Sequence, residues 1–156
     1  MVENKLGIRN YSKLQMIEKE LVSTKIKLLD EQVTFNMETL NLEFLIKLHY
    51  FLFGDIYFQK DLEIRTITDL EYKKLNKLFE LLVQMGLEGI DIKYKSLEII
   101  LKKIWELQLF GDGNTRTVLA FLKLYIKYYN LPLEFDFDVD IKFSEKIFVL
   151  RKCQQK

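Results

Sequence analysis

Residues 107–117 read LQLFGDGNTRT and lie between two apolar segments with helical spacing. Two glycines, Gly111 and Gly113, let the backbone turn sharply and approach a ligand without a Cβ clash. Polar residues with useful side chains fill the same few positions, namely Asp112, Asn114 and Arg116. The stretch predicts a tight loop that joins two helices and opens the second one, so the rest of the fold is arranged around it.

Such a loop has the chemistry of a phosphate site. A helix N-terminus exposes backbone N–H groups and a partial positive charge, which favour an anion. Asp112 offers the hard oxygen that Mg²⁺ uses when it also binds phosphates, and Arg116 can hold phosphate with two N–H groups. The alternative is an ordinary helix–turn–helix link in which Asp112 or Asn114 caps the following helix, since Gly-Asp-Gly-Asn is also good turn chemistry.

Composition sets the class of protein. A chain of 156 residues with 49% apolar content predicts a single domain over residues 1–156. A net charge of +1 argues against nucleic acid and anionic membranes as partners. Residues 1–10 lack an apolar signal core, and no apolar run reaches the ~18 residues of a membrane span. With one cysteine, Cys153, the chain is expected to be a reduced, cytoplasmic protein.

Apolar periodicity predicts helices through most of the chain. Asn10 or Ser12 can cap the first helix, with Leu14, Ile17 and Leu21 on one stripe. A polar turn over residues 30–36 leads to a second helix from Glu38 to Gly54. Further helices are expected at residues 75–82, ending near Gly86 and Gly89, at residues 97–105, and after the loop, ending before Asn130.

Three segments have other patterns. Residues 56–68 are rich in β-branched side chains and alternate apolar with polar, which indicates a short strand pair or an ordered flap. Residues 134–140 alternate phenylalanine with aspartate and suggest an extended acidic segment. Ser144 can open a final short helix.

The loop resembles the signature motif of the Fic (Fido, Fic/Doc) family, His-Pro-Phe-x-(Asp/Glu)-Gly-Asn-x-Arg-x-x-Arg, along Gln108–Arg116. Two upstream segments support the likeness. The segment His49–Tyr57 is similar to the helix end before the family's flap, and Leu62–Thr66 is similar to the start of the flap. The resemblance covers about residues 40–130.

The resemblance implies an all-α helical bundle with a small β-hairpin flap and transfer of AMP from ATP, with Mg²⁺, to a hydroxyl side chain of a target protein. One relative with this fold transfers the terminal phosphate instead. The implied metal ligand is Asp112, and the implied anchor of the loop is Phe110. The implied nucleotide-binding residues are Gly111, Asp112, Gly113, Asn114, Thr115 and Arg116. The implied flap residues, which dock the partner protein, are Leu62, Glu63, Ile64, Arg65 and Thr66.

Two departures from the motif bear on activity. Gln108 stands at the position of the catalytic histidine, and an amide has no basic nitrogen that can take a proton. Leu119 stands at the second arginine, so one phosphate contact is missing. The family's inhibitory pattern, (Ser/Thr)-x-x-x-Glu-(Gly/Asn), is not clean at Thr39–Glu43 because Phe44 follows. This suggests that no built-in brake is needed or that none is encoded.

Two functions follow from this comparison. One is an adenylyltransferase impaired by Gln108; the other is an inactive pseudoenzyme that binds a nucleotide or a partner protein at the flap. His49, the only histidine, lies among apolar neighbours and is interpreted as structural rather than as a substitute base.

Overall fold

Helices form most of the chain that the computed structural model describes, which is residues 3–29, 35–89, 94–134 and 151–152. The other elements are a 3-10 turn at Gln59–Asp61 and two antiparallel two-residue strands. The strands are β1 at Leu133–Glu134 and β2 at Arg151–Lys152. The helices are α1 Tyr11–Leu28, α2 Leu42–Phe53, α3 Asp69–Glu88, α4 Tyr94–Glu106 and α5 Asn114–Tyr128. The predicted all-α fold is confirmed.

Helix α5 is the central element of the bundle. Nearly every residue from Thr117 to Tyr125 is buried, and the helix packs against α2 and α4. Helix α1 packs on α2, and α3 packs on α4. The hydroxyl of Tyr125 donates to the carbonyl of Leu82 at 2.6 Å, which satisfies the one polar group of a fully buried ring. The bundle thus holds the N-terminus of α5 in a fixed place.

Side-chain caps fix where the first three helices begin. Asn10, rather than Ser12, caps α1 by accepting from the N–H of Lys13. The predicted start of α2 at Glu38 was wrong, because Asn41 caps the helix by accepting from the N–H of Phe44 at 2.9 Å. Thr68 and Glu71 form a capping box that starts α3.

Gly86 lies inside α3 rather than at its end, which falls at Gly89 in the left-handed region. A Cβ at Gly86 would lie 2.5 Å from the ring of Tyr129. The glycine is therefore explained by the close approach of an aromatic ring from the end of α5, not by a helix stop.

The segment 56–68 contains no regular strand pair. Tyr57 forms an isolated bridge with Asn4, and residues 63–68 have no repeating secondary structure. One backbone bond, from the N–H of Arg65 to the carbonyl of Leu109 at 2.8 Å, ties the segment to the loop before α5. Of the two predicted alternatives, the structure supports an ordered flap and contradicts a hairpin within these residues.

Several predictions fall on residues outside the described part of the chain. These are most of the polar turn at 30–36, most of the acidic segment at 134–140, the helix from Ser144 and the thiol of Cys153. Among the described residues, no helix has both the length and the apolar character needed to cross a bilayer.

Candidate functional site

The loop of residues 107–113 connects α4 to the start of α5. Gly113 is the N-cap of α5 with φ 82°, in the left-handed region, and no side chain caps the helix. The predicted capping by Asp112 or Asn114 was wrong. Asp112 Oδ1 accepts instead from the N–H of Gly113 at 2.7 Å, and Asn114 is the first helical residue. The first turn of α5 is therefore left without a side-chain acceptor, as an anion site requires.

Asn114 holds the loop in shape from inside. Its side chain is 9% exposed, and its Oδ1 accepts from the N–H of Phe110 at 3.0 Å. Its Nδ2 donates to the carbonyl of Phe110 at 2.8 Å and to Oε1 of Gln108 at 3.3 Å. Because the N–H and the carbonyl of Phe110 both bind the Asn114 side chain, this amide fixes the shape of the loop and is not free to bind a ligand.

Phe110 and His49 anchor the loop on α2. The two rings stack with centroids 3.8 Å apart and planes 4° apart. His49 Nε2 donates to the carbonyl of Asp112 at 2.9 Å, which leaves the buried Nδ1 without a hydrogen-bond partner. Burial lowers the pKa of His49, and nearby Arg116 lowers it further. With 2% exposure and its one N–H used internally, His49 has no access to a substrate proton.

Gln108, which aligns with the histidine of the motif that the loop resembles, has its side-chain amide bound at both ends. Nε2 donates to the carbonyl of Trp105 at 2.8 Å, and Oε1 accepts from Asn114. The residue is exposed, and its φ of 46° lies in the left-handed region, which is unusual for a side chain with a Cβ. The group that faces solvent beside the loop is thus a fixed amide.

Asp112 is the one candidate metal ligand in the loop. Its carboxylate is 86% exposed and lies 4.0 Å from Nη2 of Arg116. No group of three or more acidic, histidine or cysteine side chains that could hold a metal occurs in the described part of the chain. This arrangement fits Mg²⁺ that arrives with a polyphosphate, because such ions keep one or two carboxylates and complete their shell with phosphate oxygens and water.

The guanidinium of Arg116 contacts other groups of the protein. Its Nη1 lies 2.5 Å from Oε1 of Glu18 on α1, and its guanidinium stacks over the ring of Phe53 at 4.6 Å. The hydroxyl of Tyr57 also donates to Glu18, and burial together with Glu18 raises the pKa of Tyr57. A phosphate that uses Arg116 must therefore compete with a carboxylate that is 7% exposed.

Sequence reasoning missed Glu18. The buried face of α1 consists of residues four apart, Leu14, Glu18, Val22 and Ile26. The predicted stripe of Leu14, Ile17 and Leu21 was partly wrong, since Leu21 is 38% exposed. A glutamate at a regular position in an otherwise apolar face was the available signal, because a buried carboxylate needs a partner.

Three other residues at or next to the loop, Gly111, Thr115 and Leu119, have the following surroundings. Gly111 is exposed, and a Cβ there would meet nothing within 4 Å. Thr115 accepts a hydrogen bond from Nε1 of Trp105 at 3.0 Å. Leu119 is buried in the core of α5 with 5% exposure, so it belongs to the packing and not to a phosphate site.

The flap residues divide into two sets. Leu62 is buried, whereas Glu63, Arg65 and Thr66 are exposed and Ile64 is intermediate. A groove of about 350 Å³ lies between the start of the flap and α2. It is lined by Ile46, Lys47, Tyr50, Gln59, Leu62 and Glu63.

Solved structures share this arrangement of helices. One is BepC, a VirB-translocated effector protein from Bartonella tribocorum with bound AMPPNP, with a TM-score of 0.67 and 16% identity over 90% of this chain and 78% of that chain. Another is the N-terminal Fic domain of a Bep effector from Bartonella sp. AR 15-3, with a TM-score of 0.63 and 20% identity over 90% and 73%.

A third is the N-terminal Fic domain of a Bep effector from Bartonella quintana, with a TM-score of 0.65 and 17% identity over 90% of this chain and 74% of that chain. No protein-family model matches the sequence, and no curated protein matches it either. The helix order, the loop before the buried α5 and these likenesses lead to one conclusion: the chain has the fold of the Fic domain.

Proposed function

We propose that the protein is a Fic-type nucleotide-binding protein whose AMP transfer from ATP is impaired at Gln108. One observation carries the proposal: the uncapped N-terminus of α5 is surrounded by an intact, hydrogen-bonded loop, while the residue beside it is an amide instead of a base. The similar BepC structure contains AMPPNP, which supports a nucleotide as the ligand of this fold.

The missing base bears on one step. In AMP transfer a target hydroxyl oxygen bonds to the α-phosphorus, the bond from that phosphorus to the bridging oxygen breaks, and pyrophosphate leaves. The hydroxyl proton must pass to an acceptor. Gln108 has no basic nitrogen, and its carbonyl oxygen already accepts from Asn114. Loss of a general base costs a factor of roughly 10²–10⁴ in rate.

The remaining groups still suit a bound triphosphate. The first turn of α5 would hold an anionic oxygen through backbone N–H groups. Asp112 would share Mg²⁺, which neutralises phosphate charge, and its exposure leaves room for that ion. Arg116 would reach an outer phosphate once it leaves Glu18. Binding without efficient transfer is the expected result.

The test is to restore the base. Purified protein, a Gln108→His variant and a Gln108→Asn variant are incubated with ATP labelled in the α-phosphate, Mg²⁺ and cell lysate. The histidine variant is expected to label proteins at least about 10²-fold faster than the other two, because it alone carries a base. Equal labelling by all three would contradict the role assigned to Gln108.

A second candidate function is an interaction module without transfer. The pairing of Arg116 with Glu18 favours it, because this pair satisfies the phosphate-binding arginine in the absence of a nucleotide. The groove beside the flap offers a surface for a partner protein. This candidate predicts that Gln108→His labels nothing, while the protein still binds a partner that Tyr50→Ala or Glu63→Ala at the groove weakens.

A further inference from the structure

Arg65, in the flap, donates several hydrogen bonds to the loop before α5. Its Nε and Nη2 donate to the carbonyl of Leu107 at 3.0 and 2.7 Å. Its backbone N–H donates to the carbonyl of Leu109 at 2.8 Å. The carbonyls of Leu107 and Leu109, the two residues that flank Gln108, therefore both accept hydrogen bonds from the same residue of the flap.

The backbone between these two carbonyls contains one of the two non-glycine residues with a positive φ in the described part of the chain. Gln108 has φ 46°, and non-glycine residues stay in this region only when the surrounding structure fixes them. Its own N–H donates to the carbonyl of Trp105 at 3.0 Å, at the end of α4. With the carbonyls of Leu107 and Leu109 fixed as well, residue 108 has little freedom to return to a relaxed conformation.

Arg65 is itself held in place by α3. Nη2 lies 2.5 Å from Oε2 of Glu71, the glutamate of the capping box that starts α3. The hydrogen bonds from Arg65, followed by that from the backbone of Thr68, lower the pKa of Glu71 to about 2, so the pair stays charged at any ordinary pH. A guanidinium also suits the end of α4, where helix carbonyls lack intrahelical partners.

We propose that Arg65 is a positioning residue: it fixes the backbone at residue 108 and so sets the direction of that side chain relative to the N-terminus of α5. The sequence-based expectation assigned Arg65 to target docking. Its guanidinium donates to Leu107, Thr66 and Glu71, and these five hydrogen bonds use all five of its N–H groups. The catalytic part of this inference rests on the proposed function, whereas the structural part does not.

The structural part is tested in the otherwise unaltered protein. Hydrogen exchange of the Gln108 backbone amide is measured by NMR in the parent, Arg65→Lys and Glu71→Gln. Lysine keeps the charge but lacks the planar fork that makes two bonds to Leu107 and two to Glu71, so exchange is expected to accelerate about tenfold or more. Glu71→Gln keeps the capping box and the bonds to both carbonyls, so a smaller change is expected. Unchanged exchange in Arg65→Lys would overturn the proposal.

The catalytic part is tested with the base restored. In the Gln108→His background, Arg65→Lys is expected to lower kcat for protein labelling by about 10- to 100-fold while the KM for ATP changes less than about twofold. Glu63→Ala serves as the matched flap control, with a change in the KM for the target and not in kcat. An Arg65→Lys effect confined to the KM for the target would show docking and overturn positioning.

Hydrogen exchange and protein labelling together distinguish failure of the positioning role of Arg65 from failure of the proposed transfer. If Gln108→His labels nothing, the proposed transfer is wrong, and hydrogen exchange still decides whether Arg65 fixes residue 108. If Gln108→His labels proteins but Arg65→Lys changes neither kcat nor exchange, the transfer stands and the positioning role is wrong.

Discussion

The inner and outer faces of the loop before α5 differ in their burial and in their contacts. On the inner face, Phe110, Gly113 and Asn114 are buried; Phe110 stacks on His49 of α2, and Asn114 hydrogen-bonds to the backbone of Phe110. On the outer face, Gln108 and Asp112 are exposed. Substitution on the inner face changes the shape of the site, whereas substitution on the outer face changes its chemistry. In the function that we propose, the chain keeps the frame of a nucleotide site and lacks its base.

The largest effect is expected at Gly113. A Cβ there would lie 2.5 Å from the ring of Phe53, and the φ of 82° disfavours any other residue. Gly113→Ala should lower the free energy of unfolding by about 3 kcal/mol, combining strain and overpacking. Chemical denaturation measures it. Gly111→Ala, which meets nothing within 4 Å, is the matched control and should change stability by less than about 0.5 kcal/mol.

The next prediction contrasts Asn114 with Asp112. Asn114→Ala removes the partners of both backbone groups of Phe110 and should cost about 2–3 kcal/mol in unfolding free energy. Asp112→Asn should leave stability within about 0.5 kcal/mol, because the side chain is exposed. It should weaken ATP binding only when Mg²⁺ is present. A large loss of stability in Asp112→Asn would contradict the division into two faces.

The ion pair between Glu18 on α1 and Arg116 is expected to weaken phosphate binding by the loop. Glu18→Gln can keep the hydrogen bond from Tyr57 but removes the charge that holds Arg116. Affinity for ATP, measured by calorimetry, should rise about tenfold, or roughly 1.4 kcal/mol. The melting temperature should fall, because Arg116 loses its buried partner. Glu20→Gln, an exposed position on the same helix, is the control; a rise there as well would point to net charge instead.

The smallest expected effect is the pH dependence from His49. Its pKa is lowered in the folded protein, so the unfolded chain binds the proton more readily. Stability from this group is fully present above the ordinary histidine pKa of about 6.5 and is lost as the pH falls toward the folded pKa. Unfolding curves between pH 5 and 8 should show this slope in the parent and not in His49→Gln. A slope of opposite sign would contradict a buried neutral ring.

The helices and the loop could be predicted because local chemistry determines them. Apolar spacing placed α3, α4 and α5, and Gly111 and Gly113 marked the turn between the last two. The prediction went wrong where distant contacts decide. The glycine at position 86 makes room for the ring of Tyr129 and does not end the helix, and residues 63–68 stay irregular although Arg65 binds the carbonyl of Leu109. Glu18 escaped notice because its partner Arg116 is far along the chain. The fixed amide of Gln108 likewise depends on Asn114 and Trp105 together.

We propose that the N-terminus of α5 holds a nucleotide although the base is missing. Titration of the isotope-labelled protein with Mg²⁺ and ATP, followed by NMR of backbone amides, tests it most directly. Saturable shifts are expected at the amides of residues 111–116, reduced in Asp112→Asn and absent with adenosine at the same concentration. Amides of residues 111–116 that stay unshifted at millimolar Mg²⁺ and ATP, or shifts confined to the groove beside the flap, would contradict the account.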